Sequence, residues 1–328
     1  MKWIDRCQRV YVAALAMALP LLAGCIEYRI EATMNADGSG VRHEEMIVDD
    51  DEDAGIDMSR ADFAALMSVT EKHRWTYREQ VEDDDTVHVF RRETRIRDIA
   101  SWADVSDDVH IAGATGASAA SNVGHISLGD VHFRNSVRVE TGRVAEGTSF
   151  TYRETFYWNN LPDVLIEYFA QSFVHTMDAR YPDLTSEQRG ELLGLVRGGL
   201  WSATDQGLLE AGDDEEEALV SAFSRRTGIQ AARIVRQSYP AADEEFFENL
   251  LRELYEDDED RLDDFIERKL PGVQLAINCA IVFRLNMPGR VTASNAHNRE
   301  GDTLIWEFGP GDAATAPLEI IAESIVRK

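Results

Sequence analysis

The hydrophobic period of this chain changes twice, and the two changes bound what it can fold into. From Ile26 the apolar residues recur at every second position. Ile26, Tyr28, Ile30, Ala32 and Met34 alternate with Glu27, Arg29, Glu31, Thr33 and Asn35. That is the period of a half-buried strand. Around Asn159 the spacing lengthens to four, through Leu161, Leu165, Phe169, Phe173 and Met177, with Pro162 placed early. A first helical turn tolerates such a proline, and the apolar residues then share one face. Thr185 followed by Gln188 is a capping-box pair. "EEALVSAFSRRTG", "IQAARIVRQ", "DEEFFENLLRELY" and "EDRLDDFIERKL" keep the helical pattern. The period returns to two in "VQLAINCAIVFRLNM", which places Leu275, Ile277, Cys279, Ile281, Phe283 and Leu285 on the apolar face of one long strand.

These switches predict an α+β fold. An antiparallel β-rich domain spans 25–158 plus 271–328, and a large all-helical insertion occupies 159–270. Open sheet edges favour completion by strands from the later segment. Three sequential units without a shared sheet would satisfy the same pattern.

Within the β-rich part, "NADGSG" (35–40) is a turn and "VRHEEMIV" the returning strand of a hairpin. Ser59 and Asp62 open a helix expected to run to about His73, with Phe63, Leu66 and Met67 inward. "WTYREQV" and "VHVFRRETRI" form a second hairpin, and "DIASWADV" a short helix. "GATGASAASNVG" (113–124) reads as a loop, followed by strands across 125–158. After the insertion, "PGR" is a turn between strands, and "VTASNA", "TLIWEF" and "LEIIAESIV" finish the chain.

The first 24 residues follow a different logic. Lys2, Arg6 and Arg9 precede "VYVAALAMALPLL", 13 residues without a charge. This is the length of a signal-peptide apolar region and is short of the ~20 residues a bilayer span needs. "LAGC" follows, and the stretch resembles the bacterial lipobox. The resemblance implies cleavage after Gly24 and a diacylglycerol on the sulfur of Cys25. Cys25 then becomes the mature first residue, acylated on its amine as well. Two or three acyl chains anchor firmly where one holds only marginally. Ile26, rather than aspartate, follows the cysteine, so in a diderm host the outer membrane is favoured over the inner. The alternatives are an ordinary secretory signal or an uncleaved N-terminal anchor.

The remaining cysteines fit this reading. Cys7 leaves with the signal and Cys279 stands alone, so the mature chain has no pair to form an intramolecular disulfide. Cys279 is expected to be a buried, inert thiol. Sixty acidic residues oppose 33 basic ones, for a net charge of -27. Removing residues 1–24 leaves 59 against 30, a net of -29. Such a surface repels nucleic acid, which is excluded as a partner. It also repels anionic lipid, so the body is expected to meet the membrane with its least acidic side.

Two further stretches complete a similarity to LppM-type envelope lipoproteins. They are "GCIEYRIEATMNADGSG", a strand leaving the cysteine into a DGSG turn, and "FRLNMPGRVTASNAHNREGDTLIWEF", a strand, a PG turn, "SNA" and a tryptophan strand. The resemblance implies an envelope location and a β-rich fold. It leaves activity open and does not extend to the helical insertion.

No zinc-protease, phosphate-loop, nucleophile-elbow or paired-cysteine motif occurs. "DDDEDAGID" (49–57) fails as a calcium loop begun at Asp49, because Ala54 and Arg60 stand where glycine and glutamate are required. His125 and His132 lie seven apart in sequence, which puts them on opposite faces of a straight strand and argues against a shared metal. No catalytic residue, cofactor site or metal ligand is therefore assigned, and no cofactor is expected. The assigned positions are Cys25 for lipid attachment and Gly24 for cleavage. The leading expectation is a membrane-anchored, non-catalytic binding or assembly module, with an envelope protein or ligand as partner. A hydrolase with a dispersed carboxylate site and a carrier of an apolar ligand are the alternatives.

Overall fold

The structure is a computed structural model and describes residues 26–49, 60–69, 74–82, 85–113, 131–208, 213–256, 259–277, 279–314 and 316–327. The lipobox with Cys25, the acidic segment 50–59, residues 114–130 and His125 lie outside them. The fold is α+β. The described residues divide into two compact units, a helical one over 160–269 and a β-rich one formed by the segments before and after it.

In the β-rich unit the strands are β1 (Ile26–Met34), β2 (Gly40–Asp49), β3 (Thr76–Glu82), β4 (Asp85–Ile96), β5 (His110–Ala112), β6 (His132–Val144) and β7 (Gly147–Asn159). After the helical segment come β8 (Cys279–Asn286), β9 (Arg290–Ser294), β10 (Asn298–Glu300), β11 (Thr303–Phe308) and β12 (Leu318–Arg327). Among the described residues they form a seven-stranded sheet, ordered β10-β11-β8-β1-β2-β4-β3, and a five-stranded sheet, ordered β5-β6-β7-β12-β9. The late segment completes both sheets. β8 lies beside β1 in parallel, with Ile26 opposite Cys279. β12 lies antiparallel to β7.

β1 alternates buried and more exposed residues along its length. Its buried side joins Phe283, Leu285, Leu304 and Trp306 on the inner face of the seven-stranded sheet. Rings from the two sheets meet there: Phe156 lies 4.9 Å from Phe308 and 6.3 Å from Phe283, centroid to centroid. Burying each such ring contributes about 2 kcal/mol relative to leaving it exposed. β8 passes into β9, and so from one sheet to the other, through a turn at Gly289. Its φ is +74°, and a Cβ there would sit 2.4 Å from the Ile325 carbonyl oxygen, so the crossing requires glycine.

Asn295 joins the sheets just beyond that turn. Its side-chain oxygen accepts from the Trp306 indole N–H (3.0 Å) and the Ile321 amide (2.8 Å), while its Nδ2 donates to the Glu319 carbonyl (2.7 Å). The "SNA" and tryptophan-strand stretches are thus one hydrogen-bonded unit.

Two sequence expectations need correction. Residues 271–277 are a short helix, α7, rather than the start of a long strand, so Leu275 lies on a helix and the strand begins at Cys279. Pro271 suits a first helical turn, and the Gly272 amide donates to the Gly113 carbonyl at 3.0 Å. A short apolar run satisfies both periods, so its sequence does not separate helix from strand. The helix expected to run to His73 is α1 (Arg60–Leu66), and Ser68 beyond it adopts φ +54°. Phe63, Leu66 and Met67 are buried as expected.

The helical unit comprises α2 (Leu161–Arg180), α3 (Ser186–Thr204), α4 (Asp213–Val235), α5 (Glu244–Glu256) and α6 (Glu259–Lys269). Leu161, Leu165, Phe169, Phe173 and Met177 are all buried, so these aromatics belong to a core rather than to a membrane-binding face. The capping box at α3 is complete: the Gln188 amide donates to Thr185 Oγ1, and the Thr185 amide to Gln188 Oε1.

Candidate functional site

The pleat gives the seven-stranded sheet an outer face as polar as its inner face is apolar. Register aligns Arg29, Glu45 and Arg91 in one row across β1, β2 and β4, and Glu31, His43 and Glu93 in the next. Opposite charges thus face each other along and between rows. Arg91 Nε reaches Glu45, Arg29 Nη1 lies 3.4 Å from the same carboxylate, and His43 lies 3.7 Å from Glu93. A hydrogen bond from Arg95 holds Glu93 below the usual carboxylate range. Together with Arg74 and Thr76 the side chains of these two rows line an open cleft of 440 Å³ that Glu44 and Arg92 also border. Mixed charge in cross-strand rows suits recognition of a polar partner surface.

Beneath this face lies a buried ionic network. Arg42 of β2 grips Glu154 of β7 with two bonds of 2.9 and 3.0 Å. Glu44 accepts from Tyr28 at 3.0 Å and from Arg92 at 2.7 Å. Arg92 continues to Asp108 at 3.1 Å, while Asn135 and Tyr152 donate to Glu154. Arg42 Nε is 3.3 Å from Glu44 but poorly aligned for a hydrogen bond, so its attraction is Coulombic. Burial pushes the phenols of Tyr28 and Tyr152 well up, which keeps both as donors. Burial, with Glu44 close by, pushes Asp108 up to about 6. The network ties one sheet to the other. Each of its charges is matched by an opposite one, so removing a single partner would leave a buried charge uncompensated.

Cys279 is buried at the start of β8, and burial pushes its thiol up to about 12. It is inert at neutral pH. His132 has come to lie beside His110 of β5, whereas His125 falls outside the described residues. Among the described residues no three His, Cys, Asp or Glu side chains converge as a metal cluster. None of their helices is long and apolar enough to cross a membrane.

Register also locates the end of the sheet at which the chain enters. Ile26, the residue after Cys25, pairs with Val48, and Val48 with His88. Asp49 lies one residue beyond that row. The β3–β4 hairpin ends on Glu82 opposite Asp85, three residues beyond His88, or about 10 Å at strand rise. Acidic positions therefore share the Ile26 end.

No family model matches the chain, and no curated protein matches it. Among solved structures it is similar to the folded domain of LppM from Mycobacterium tuberculosis, determined by NMR. The identity is 10% and the TM-score 0.27, over 94% of this chain and 95% of that one. A TM-score of that size carries neither fold nor function from one chain to the other.

Proposed function

We propose that this protein is a lipid-anchored lipoprotein of the bacterial envelope, preferentially of the outer membrane in a diderm host. It binds an envelope protein through the charged face of its seven-stranded sheet and catalyses no reaction. The observation that carries the anchoring is the position of β1. Ile26 is wholly buried and paired on both sides, by β2 and β8. A lipid on Cys25 would hold the β-rich unit at the bilayer without a tether. Signal-like residues 1–24 and the "LAGC" stretch support the same reading. The open cleft supports the binding role. Its carboxylates Glu45 and Glu93 are engaged with arginines of the same face, an arrangement that presents ordered, alternating charge to a partner.

The test has two arms. Mass spectrometry of the mature N-terminus should find Cys25 acylated, and Cys25→Ala should release the protein from membranes. An unmodified Cys25, or attachment that survives the substitution, would refute the anchor. Photo-crosslinkers placed at Arg29, His43 and Glu93 in the full-length lipoprotein should capture an envelope protein in its own host. A crosslinker at Val144, on the exposed β6–β7 hairpin, should not. Equal capture from both regions, or none from the cleft, would refute the binding face.

A further inference from the structure

His110 and His132 stand on neighbouring antiparallel strands, in the register that sets His110 opposite Arg134 and Ala112 opposite His132. The two histidines are therefore diagonal neighbours on one face of the five-stranded sheet, the face opposite buried Ile111 and Phe133. Both are half-buried, His110 on β5, the outermost strand of that sheet among the described residues, and His132 on β6 beside it. His110 Nε2 lies 3.1 Å from His132 Nδ1, with ring centroids 4.7 Å apart. Behind them, Ser68 Oγ lies 2.7 Å from His110 Nδ1.

We propose that His110 and His132 chelate one divalent transition-metal ion, with Ser68 orienting the His110 ring. Two imidazole nitrogens bound to one tetrahedral ion at ~2.0–2.1 Å stand about 3.3 Å apart. The observed separation needs to open by a few tenths of an ångström, and each ring to turn so that its nitrogen points off the N···N line toward the ion. Metal-bound histidines use their second nitrogen on a neighbouring polar group, and Ser68 occupies that position on His110. The alternative use of a Ser–His contact is nucleophilic catalysis, in which the serine proton goes to Nε2. Here the serine faces Nδ1, and Nε2 is turned to the other histidine. In the metal-free pair one proton sits between the two facing nitrogens. The ion takes its place, and that proton leaves to solvent or to the far nitrogen of its own ring, so both imidazoles bind the ion as neutral ligands. Arg134 shares this face, with its guanidinium 3.7 Å from Asp107, and the net negative charge of the protein favours cations overall.

The test is calorimetric titration of the mature protein, free of any histidine tag, with Cu(II) and with Zn(II) in excess magnesium at neutral pH. One saturable site is expected, with Cu(II) bound more tightly than Zn(II). His110→Asn and His132→Asn should each weaken binding at least ~10-fold, and Ser68→Ala by roughly 10-fold. Electron paramagnetic resonance of the Cu(II) form should show coupling to two imidazole nitrogens, a readout on the unmutated protein that does not depend on any variant folding. Absence of a saturable site, a signal from fewer than two imidazoles, or unchanged affinity in folded histidine variants would each overturn the proposal.

Discussion

Arg42 of the seven-stranded sheet and Glu154 of the five-stranded sheet meet as a two-bond pair with neither side chain exposed. They are 112 residues apart in sequence and lie on two different hairpins. Phe283 covers the guanidinium, 5.6 Å from its ring centre. The pair is the link across the sheets in a buried polar network that includes Glu44, Arg92 and Asn135 and is set among apolar side chains.

Breaking that pair one-sidedly leaves a buried carboxylate without its partner. Arg42→Met should cost about 3–5 kcal/mol in urea denaturation. The double variant Arg42→Met, Glu154→Gln should cost less than Arg42→Met alone. It removes both charges, and the glutamine oxygen still accepts from Tyr152 and Asn135. A double variant less stable than the single one would mean that the carboxylate is stabilised by something other than Arg42.

Asp108 is expected to make stability depend on pH in the sense opposite to an ordinary ion-paired carboxylate. Its value in the folded state is about 6, against 3.8 ordinarily, so the folded protein holds this proton more tightly than the unfolded chain. The contribution is complete below about pH 4 and is lost as pH rises through about 6. Asp108→Asn should therefore stabilise the protein above pH 6, by on the order of 1 kcal/mol, with the advantage vanishing toward pH 4. Denaturation midpoints taken across that range check it, and a pH-independent difference would contradict it.

Asn295→Ala removes three hydrogen bonds at one point and leaves the buried indole N–H of Trp306 without its acceptor. A loss of about 2 kcal/mol is expected. Because the lost bonds span both sheets, unfolding should remain a single transition of the β-rich unit when followed by circular dichroism.

Two glycines in the helical unit should respond with opposite signs. A Cβ on Gly228 of α4 would sit 2.8 Å from the backbone nitrogen of Glu248 in α5, whereas one on Gly194 of α3 meets nothing within 4 Å. Gly228→Ala should cost about 1–3 kcal/mol by forcing the helices apart. Gly194→Ala should stabilise by about 0.4–1 kcal/mol. Thermal melts of the two variants against the parent protein decide this.

What the sequence determined by itself is what depends on near neighbours. The alternation from Ile26 to Met34, the turn at 35–40, the capping box at Thr185 and the four-residue spacing from Leu161 all appear in the structure. Each follows from which side of a strand or helix a residue occupies, and that is set within a few positions. The burial of Cys279 was legible for the same reason. Where a short apolar run satisfied two periods at once, before Cys279, the local signal failed.

Only the tertiary structure decided the rest. "VRHEEMIV" and "FTYRETFYW" read as strands, but nothing local says that Arg42 and Glu154 point at one another. The histidine nearest His132 in sequence is His125, whereas strand pairing brings His110 beside it. The rows of Arg29, Glu45 and Arg91 exist only once β1, β2 and β4 are placed side by side. The acidic hairpin end beside Ile26 likewise emerges from register. The physical reason is common to all of them. Side-chain periodicity is a property of one backbone segment, while a charge pair, a chelate or a charged face is made by segments that topology alone brings together.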